Sequence, residues 1–195
     1  MVGASGAGKG TVIEIVEKQG FKSTSLSNEV RRYAASLGFQ DLTRSELQIL
    51  ANEARNLYGP DFFAKQAVQN TELINHSGLI IDGVRNLAEL FHIKAFEGDG
   101  HNVVICSVEA EQELRYRRVL ERGRKSDPMT WEEFLIADNR ENGLNGNEFT
   151  QQNFACMQMA DVRIKNEGSI DELMLSLQEN LFYRMEGQSE NLNQA

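Results

Sequence analysis

The chain has 195 residues, 41% of them hydrophobic and 25% charged, which suits one compact domain large enough to bury a substantial core. Its formal net charge of −9 opposes general nucleic-acid binding, which needs a basic surface to displace counterions from phosphates. No apolar run approaches the roughly 20 residues of a membrane span and no signal peptide opens the chain, so a cytoplasmic protein is expected, with Cys106 and Cys156 as reduced structural thiols without metal-like spacing.

The first stretch carries the strongest signal. Gly3-Ala4-Ser5-Gly6-Ala7-Gly8-Lys9-Gly10-Thr11 has the G-x-x-x-x-G-K spacing of a phosphate loop. Glycines let the backbone curl so that successive N–H groups point at a phosphate chain, the lysine reaches the outer phosphates, and a helix N-terminus follows. Val12, Ile15 and Val16 recur at helical spacing and Gly20 stops that helix. The usual hydroxyl directly after the lysine is replaced by Gly10, and a hydroxyl arrives one place later at Thr11. Only Met1 and Val2 precede Gly3, so either the chain starts inside the strand from which the loop should hang, or the true start lies upstream.

Residues 21–26 read as a strand, and Ser27 as the cap of a helix from Asn28 to about Leu37. Thr43-Arg44-Ser45-Glu46 has capping-box form and opens a helix to Leu57, stopped by Gly59-Pro60; a further helix is expected from about Asp61 to Ile74. Helices with no strand between them predict a small inserted subdomain. Gly78-Leu79-Ile80-Ile81-Asp82 reads as a buried strand ending in a carboxylate, with Gly83-Val84-Arg85 just past the end where open α/β sheets bind ligands. A helix from Asn86 to Phe96 and a strand from Asn102 to Val108 follow, then a helix from Glu111 to Glu121, a loop after Gly123, and a second capping box at Thr130-Trp131-Glu132-Glu133 that opens a helix to about Arg140. A helix near 148–159, a strand over 161–165 and a third capping box at Ser169-Ile170-Asp171-Glu172 complete the pattern; from Gly187 the residues read as a flexible tail. Strands alternating with helices predict a parallel sheet covered on both faces.

Three features invite a chemical reading. Asp82 at a strand end suits magnesium held through water, with a capping or loop-ordering carboxylate as the alternative. Arg115, Arg117, Arg118, Arg122, Arg124 and Lys125 concentrate positive charge against the single Glu121, which suits a small polyphosphate. Arg118 and Arg122, four apart on one helix face, lead into a loop able to close as a lid, whereas Arg115, Arg117 and Lys125 also fit a solvated face. Tyr58, Phe62 and Phe63 fit either the core or an acceptor-base pocket.

These segments, with Ser25-Leu26-Ser27-Asn28-Glu29-Val30-Arg31, Asp82-Gly83-Val84-Arg85, Arg122-Gly123-Arg124, Asp138-Asn139-Arg140 and Asn166-Glu167-Gly168, resemble the nucleoside monophosphate kinase group of P-loop proteins, most closely the archaeal-type adenylate-kinase-related, dephospho-CoA-kinase-like proteins. The resemblance implies a P-loop NTPase three-layer sandwich with a parallel five-stranded sheet flanked by helices. It implies a single kinase domain over 1–186, with a helical acceptor-binding insert near 28–75, a short lid near 122–142, and residues 187–195 as tail. It implies ATP and Mg2+ as cofactors, with donor contacts from Gly3 to Thr11 (Gly3, Ala4, Ser5, Gly6, Ala7, Gly8, Lys9, Gly10, Thr11), Arg118 on the adenine and Asn166 to Gly168 beside it. Catalytic roles fall on Lys9, Arg122, Arg140 and Asp82, the last also the metal residue through water. Arg31 and Arg85 would grip the acceptor, a small nucleotide. Transfer of the γ-phosphate to a nucleoside monophosphate is the leading expectation. Dephospho-CoA kinase chemistry, with Asp82 or Glu29 as base, and an ATP-binding regulatory protein with little turnover are the alternatives. The expected partners are small molecules, with neither nucleic acid nor membrane.

Overall fold

Two short parallel ladders carry the strands of the computed structural model, which describes residues 1–71, 76–99, 101–124, 127, 129–143 and 147–186. β1 (Phe21–Ser25) pairs with β2 (Gly78–Asp82), Phe21 opposite Gly78 and Ser25 opposite Asp82. β3 (Cys106–Glu109) pairs with β4 (Val162–Lys165), Cys106 opposite Val162. Met1 and Val2 lie between the ladders: the Met1 ammonium donates to the Ile81 carbonyl at 2.7 Å, Val2 N donates to the Cys106 carbonyl at 2.9 Å, and Val108 N donates to the Val2 carbonyl at 3.1 Å. The expected five-stranded sheet is thus corrected, among the described residues, to four strands and one bridging residue. Val2 makes a single parallel bridge to Ser107 and so forms no strand of its own.

The expected strand over 102–108 is shorter and later, because only Cys106–Glu109 find a partner in β4. Side chains alternate along these lines as a pleat requires. Cys106 and Val108 join α1 (Lys9–Glu17) and the C-terminal helix in one apolar cluster; Ile105 and Val2 join Leu26, Phe63, Leu90 and Cys156 in another. The clusters flank the strands, so helices cover both faces. Burial pushes the Cys106 thiol up to about 11 and the Cys156 thiol up to about 12, so both sulfurs pack as inert apolar groups.

Helices begin where the capping chemistry says they should. Thr43, Thr130 and Ser169 each accept from the backbone N–H three residues on while Glu46, Glu133 and Glu172 reach back to the cap, opening α3 (Arg44–Tyr58), α7 (Trp131–Asn142) and α9 (Ile170–Leu177). These bonds favour the ionised carboxylates and hold all three glutamates below the usual range. α2 (Leu26–Ser36) starts two residues early because Ser25, not Ser27, is the cap, its hydroxyl accepting from Ser27 N at 3.2 Å. α4 (Phe62–Gln69) ends before the expected Ile74, which lies outside the described residues, as does the tail from Gly187.

α5 (Leu87–Lys94), capped by Asn86, runs into a 3-10 turn at Ala95–Asp99. α6 (Gln112–Arg122) ends at the left-handed Gly123. α8 is confined to Asn153–Gln158, because residues 147–152 instead cross the end of β2: Asn86 Nδ2 donates to the Glu148 and Thr150 carbonyls, and Gln152 N to the Arg85 carbonyl.

The insert of α2, α3 and α4 is tied to the sheet by a buried charge pair. Arg55 Nε and Nη2 donate to Glu89 Oε1 at 2.9 and 2.7 Å, and Glu89 Oε2 accepts from Arg85 N at 3.1 Å. Phe63 is fully buried beneath the Arg55 guanidinium and belongs to the core, while Tyr58 stacks on Phe62 with centroids 4.8 Å apart and stays half exposed. No described helix is long and apolar enough to cross a membrane.

Candidate functional site

The phosphate loop needs glycine where it bends and where neighbours crowd it. Gly6 and Gly8 have φ of 80° and 95° in the left-handed region, and a Cβ on Gly8 would fall 1.9 Å from Asn166 Nδ2. The loop therefore exists in its curled form only with a bare backbone at these places. Gly10 and Thr11 follow on the exposed start of α1, and a Cβ on Gly10 would meet open space.

Lys9 is folded over its own loop, Nζ donating to the Gly3 carbonyl at 2.6 Å and the Ala4 carbonyl at 3.1 Å. Burial pushes its ammonium down to about 8, against an opposing pull from Asp82 and assisted by the like charges of Arg85 and Arg122. The charges of Asp82, Arg85, Glu141 and Arg122 are therefore all felt at the Lys9 ammonium. Asp82 Oδ1 is buried and accepts no hydrogen bond. A hard cation prefers such an oxygen, so the donor set fits magnesium with Asp82 as its protein carboxylate.

Along α6, Arg115, Arg118 and Arg122 form a stripe at helical spacing that faces the loop. Arg118 Nη1 donates to the Asn166 carbonyl at 2.9 Å, and Asn166 Nδ2 donates to the Ala7 carbonyl at 2.9 Å. Arg122 donates to the Ser5 hydroxyl at 3.2 Å and holds both oxygens of Asp127 at 2.7 and 2.8 Å. Gly168 is exposed beyond Asn166, at the start of the turn into α9.

Arg115 departs from the surface reading of the basic patch. It is buried, grips both oxygens of Asp138 at 2.6 and 2.8 Å, and donates to the Ser5 carbonyl at 3.2 Å. An arginine counted as patch charge is a loop support, and its partner lies 23 residues away on another helix, where local spacing gives no signal. Lys125 lies outside the described residues.

Of the two arginines expected to grip an acceptor, Arg85 is half buried at the end of β2, 3.4 Å from both Gln151 Oε1 and the buried Glu141. Arg31 is exposed and turned back to the Ser27 carbonyl at 3.2 Å. Arg140 is exposed on α7, whose buried positions are Phe134, Asp138 and Glu141. The structure thus gathers Lys9, Arg118 and Arg122 at the loop, sets the charges of Asp82 and Arg85 within electrostatic reach of Lys9, leaves Arg31 and Arg140 at the surface, and adds Arg115, Glu141 and the side chain of Asn166. Glu29 is spoken for by Arg32 and by Asn70 Nδ2 at 2.9 Å.

Comparison with known proteins agrees with a P-loop α/β fold. A family model described as an AAA domain matches residues 2–134. A UPF0200 protein of Thermococcus gammatolerans is 32% identical over 178 residues, covering 88% of this chain and 87% of the relative. A UPF0200/UPF0201 protein of Archaeoglobus fulgidus is 31% identical over 89% of this chain, which spans 51% of that longer protein. The solved structure of TT1252 from Thermus thermophilus shares the fold, with a TM-score of 0.54 at 20% identity over 91% of this chain and 92% of that one. With the loop, its lysine and the arginine stripe in place, the chain belongs to the UPF0200 family and is built on a P-loop, kinase-like AAA domain of α/β fold.

Proposed function

We propose that the protein is an ATP- and magnesium-dependent phosphotransferase that moves the γ-phosphate to a nucleoside monophosphate in the manner of adenylate kinases. The observation that carries this reading is the convergence of Lys9, Arg118 and Arg122 on one glycine-rich loop, with Arg85 and Asp82 at the neighbouring strand end. The loop amides hold the donor phosphates, and Lys9 leaves its two carbonyls to offset charge on the transferring group. Arg122, pivoting from Asp127, clamps that group from the lid side. Asp82 would hold magnesium, which would supply charge neutralisation on the phosphates. Arg85 orients the acceptor so that its phosphate oxygen attacks the γ-phosphorus in line, the bond to the β-γ bridging oxygen breaks, and the electron pair leaves with ADP. No proton transfer to the protein is needed.

A second reading, transfer to the ribose hydroxyl of dephospho-CoA, is favoured by the two carboxylates near Arg85. A hydroxyl must lose a proton, and Asp82 or Glu141 is placed to receive it, whereas Glu29 is engaged by Arg32 and Asn70. ADP release measured with ATP and magnesium across AMP, CMP, UMP, GMP, their deoxy forms and dephospho-CoA tests both. Turnover with one monophosphate supports the first reading and turnover with dephospho-CoA alone supports the second. ATP binding without turnover would turn the reading to a nucleotide-binding regulatory protein.

A further inference from the structure

The peptide unit is planar and trans, so its C=O and N–H point in opposite directions. Fixing one carbonyl of a loop therefore aims the next residue's N–H the other way. In this loop two carbonyls are held from outside by side chains that are themselves more than nine-tenths buried. Arg115 Nη1 donates to the Ser5 carbonyl at 3.2 Å, and Asn166 Nδ2 donates to the Ala7 carbonyl at 2.9 Å. The peptides so held are Ser5–Gly6 and Ala7–Gly8, and their glycines have φ of 80° and 95°, in the left-handed region.

Both supports are themselves fixed. Arg115 also donates to the Ala110 carbonyl at 3.2 Å, is pinned by Asp138 from α7, and lies over the Phe134 ring at 5.5 Å. Asn166 N donates to the Glu109 carbonyl at 2.8 Å, and its own carbonyl takes the Arg118 guanidinium. The two contacts come from different elements, one from α6 and one from the end of β4, and reach alternate peptides of the same loop.

We propose that Arg115 and Asn166 are positioning residues that preset the phosphate loop, turning the Gly6 and Gly8 amides inward before any phosphate arrives. The inference rests on the reading of the loop as an ATP site and deepens it. It gives the Asn166 side chain a role at the phosphate end, where the resemblance implied only a place beside the adenine. A preset row of amides costs less reorganisation on binding than one that must turn.

The test separates the two ends of the nucleotide. Asn166→Leu keeps the volume without the donor. The double substitution Arg115→Met with Asp138→Leu removes the buried ion pair without stranding either charge, a replacement that commonly keeps the fold. Binding of ATP and of inorganic tripolyphosphate is measured by calorimetry on each folded variant and the wild type. The expected result is a loss of about tenfold or more for both ligands alike, together with altered Gly6 and Gly8 amide resonances in the ligand-free protein. Unchanged binding of both ligands overturns the proposal, and so does a loss confined to ATP, which would place Asn166 at the adenine. A wild type that binds neither ligand overturns the ATP reading itself, and the proposal with it.

Discussion

Lys9 is the residue at which chemistry and acidity meet. Lys9→Ala should lower ADP release by about a hundredfold or more, the scale of losing one charged donor to a transition state, with the fold kept. Unchanged turnover would remove the loop from the mechanism. Its ammonium, pushed down to about 8 from an ordinary 10.5, also sets a pH signature. Between those values the unfolded chain binds the proton and the fold does not, so this group makes the fold more stable as pH rises through that window. A bound polyphosphate reverses the preference, so ATP binding near pH 8.5, just above the value in the free protein, should take up protons. Calorimetry in two buffers of different ionisation enthalpy reads the uptake, and Lys9→Arg should abolish it.

At the scale of elements, the three capping boxes were legible because a cap needs only four consecutive residues to state itself. Thr130→Ala should cost about 1 kcal/mol in urea denaturation by leaving the first turn of α7 uncapped, while ATP affinity stays unchanged because Asp138 lies two turns further on. A loss of affinity equal to that of the Arg115 and Asp138 double variant would mean α7 frays as a whole. The helix read near 148–159 failed for the opposite reason. Its first half is held by bonds to Asn86 and Arg85, more than 60 residues away, and tertiary partners of that kind override a local pattern. In the same way the loop, Lys9, Asp82 and the face shared by Arg118 and Arg122 could be read from spacing. Arg115 with Asp138, Arg85 with Glu141 and Arg55 with Glu89 could not, since each pair joins separate helices or a helix and a strand end.

Across the whole molecule, the insert and the sheet are joined through Glu89, which holds Arg55 of α3 on one oxygen and the Arg85 backbone on the other. Glu89→Ala would leave the Arg55 guanidinium buried and unpaired, at a cost of about 3 to 5 kcal/mol in chemical denaturation. A cost below about 1 kcal/mol would show that water reaches Arg55 and that the insert is docked by apolar packing alone. The arrangement of Lys9 bears on selectivity among anions. Its ammonium already has two carbonyl partners, so an incoming ligand exchanges contacts rather than adding them. On the phosphotransferase reading, an ion with one phosphorus would offer little beyond that exchange, whereas a chain of phosphates would also meet the loop amides and the arginine stripe. Discrimination by chain length thus follows from a lysine that is never idle.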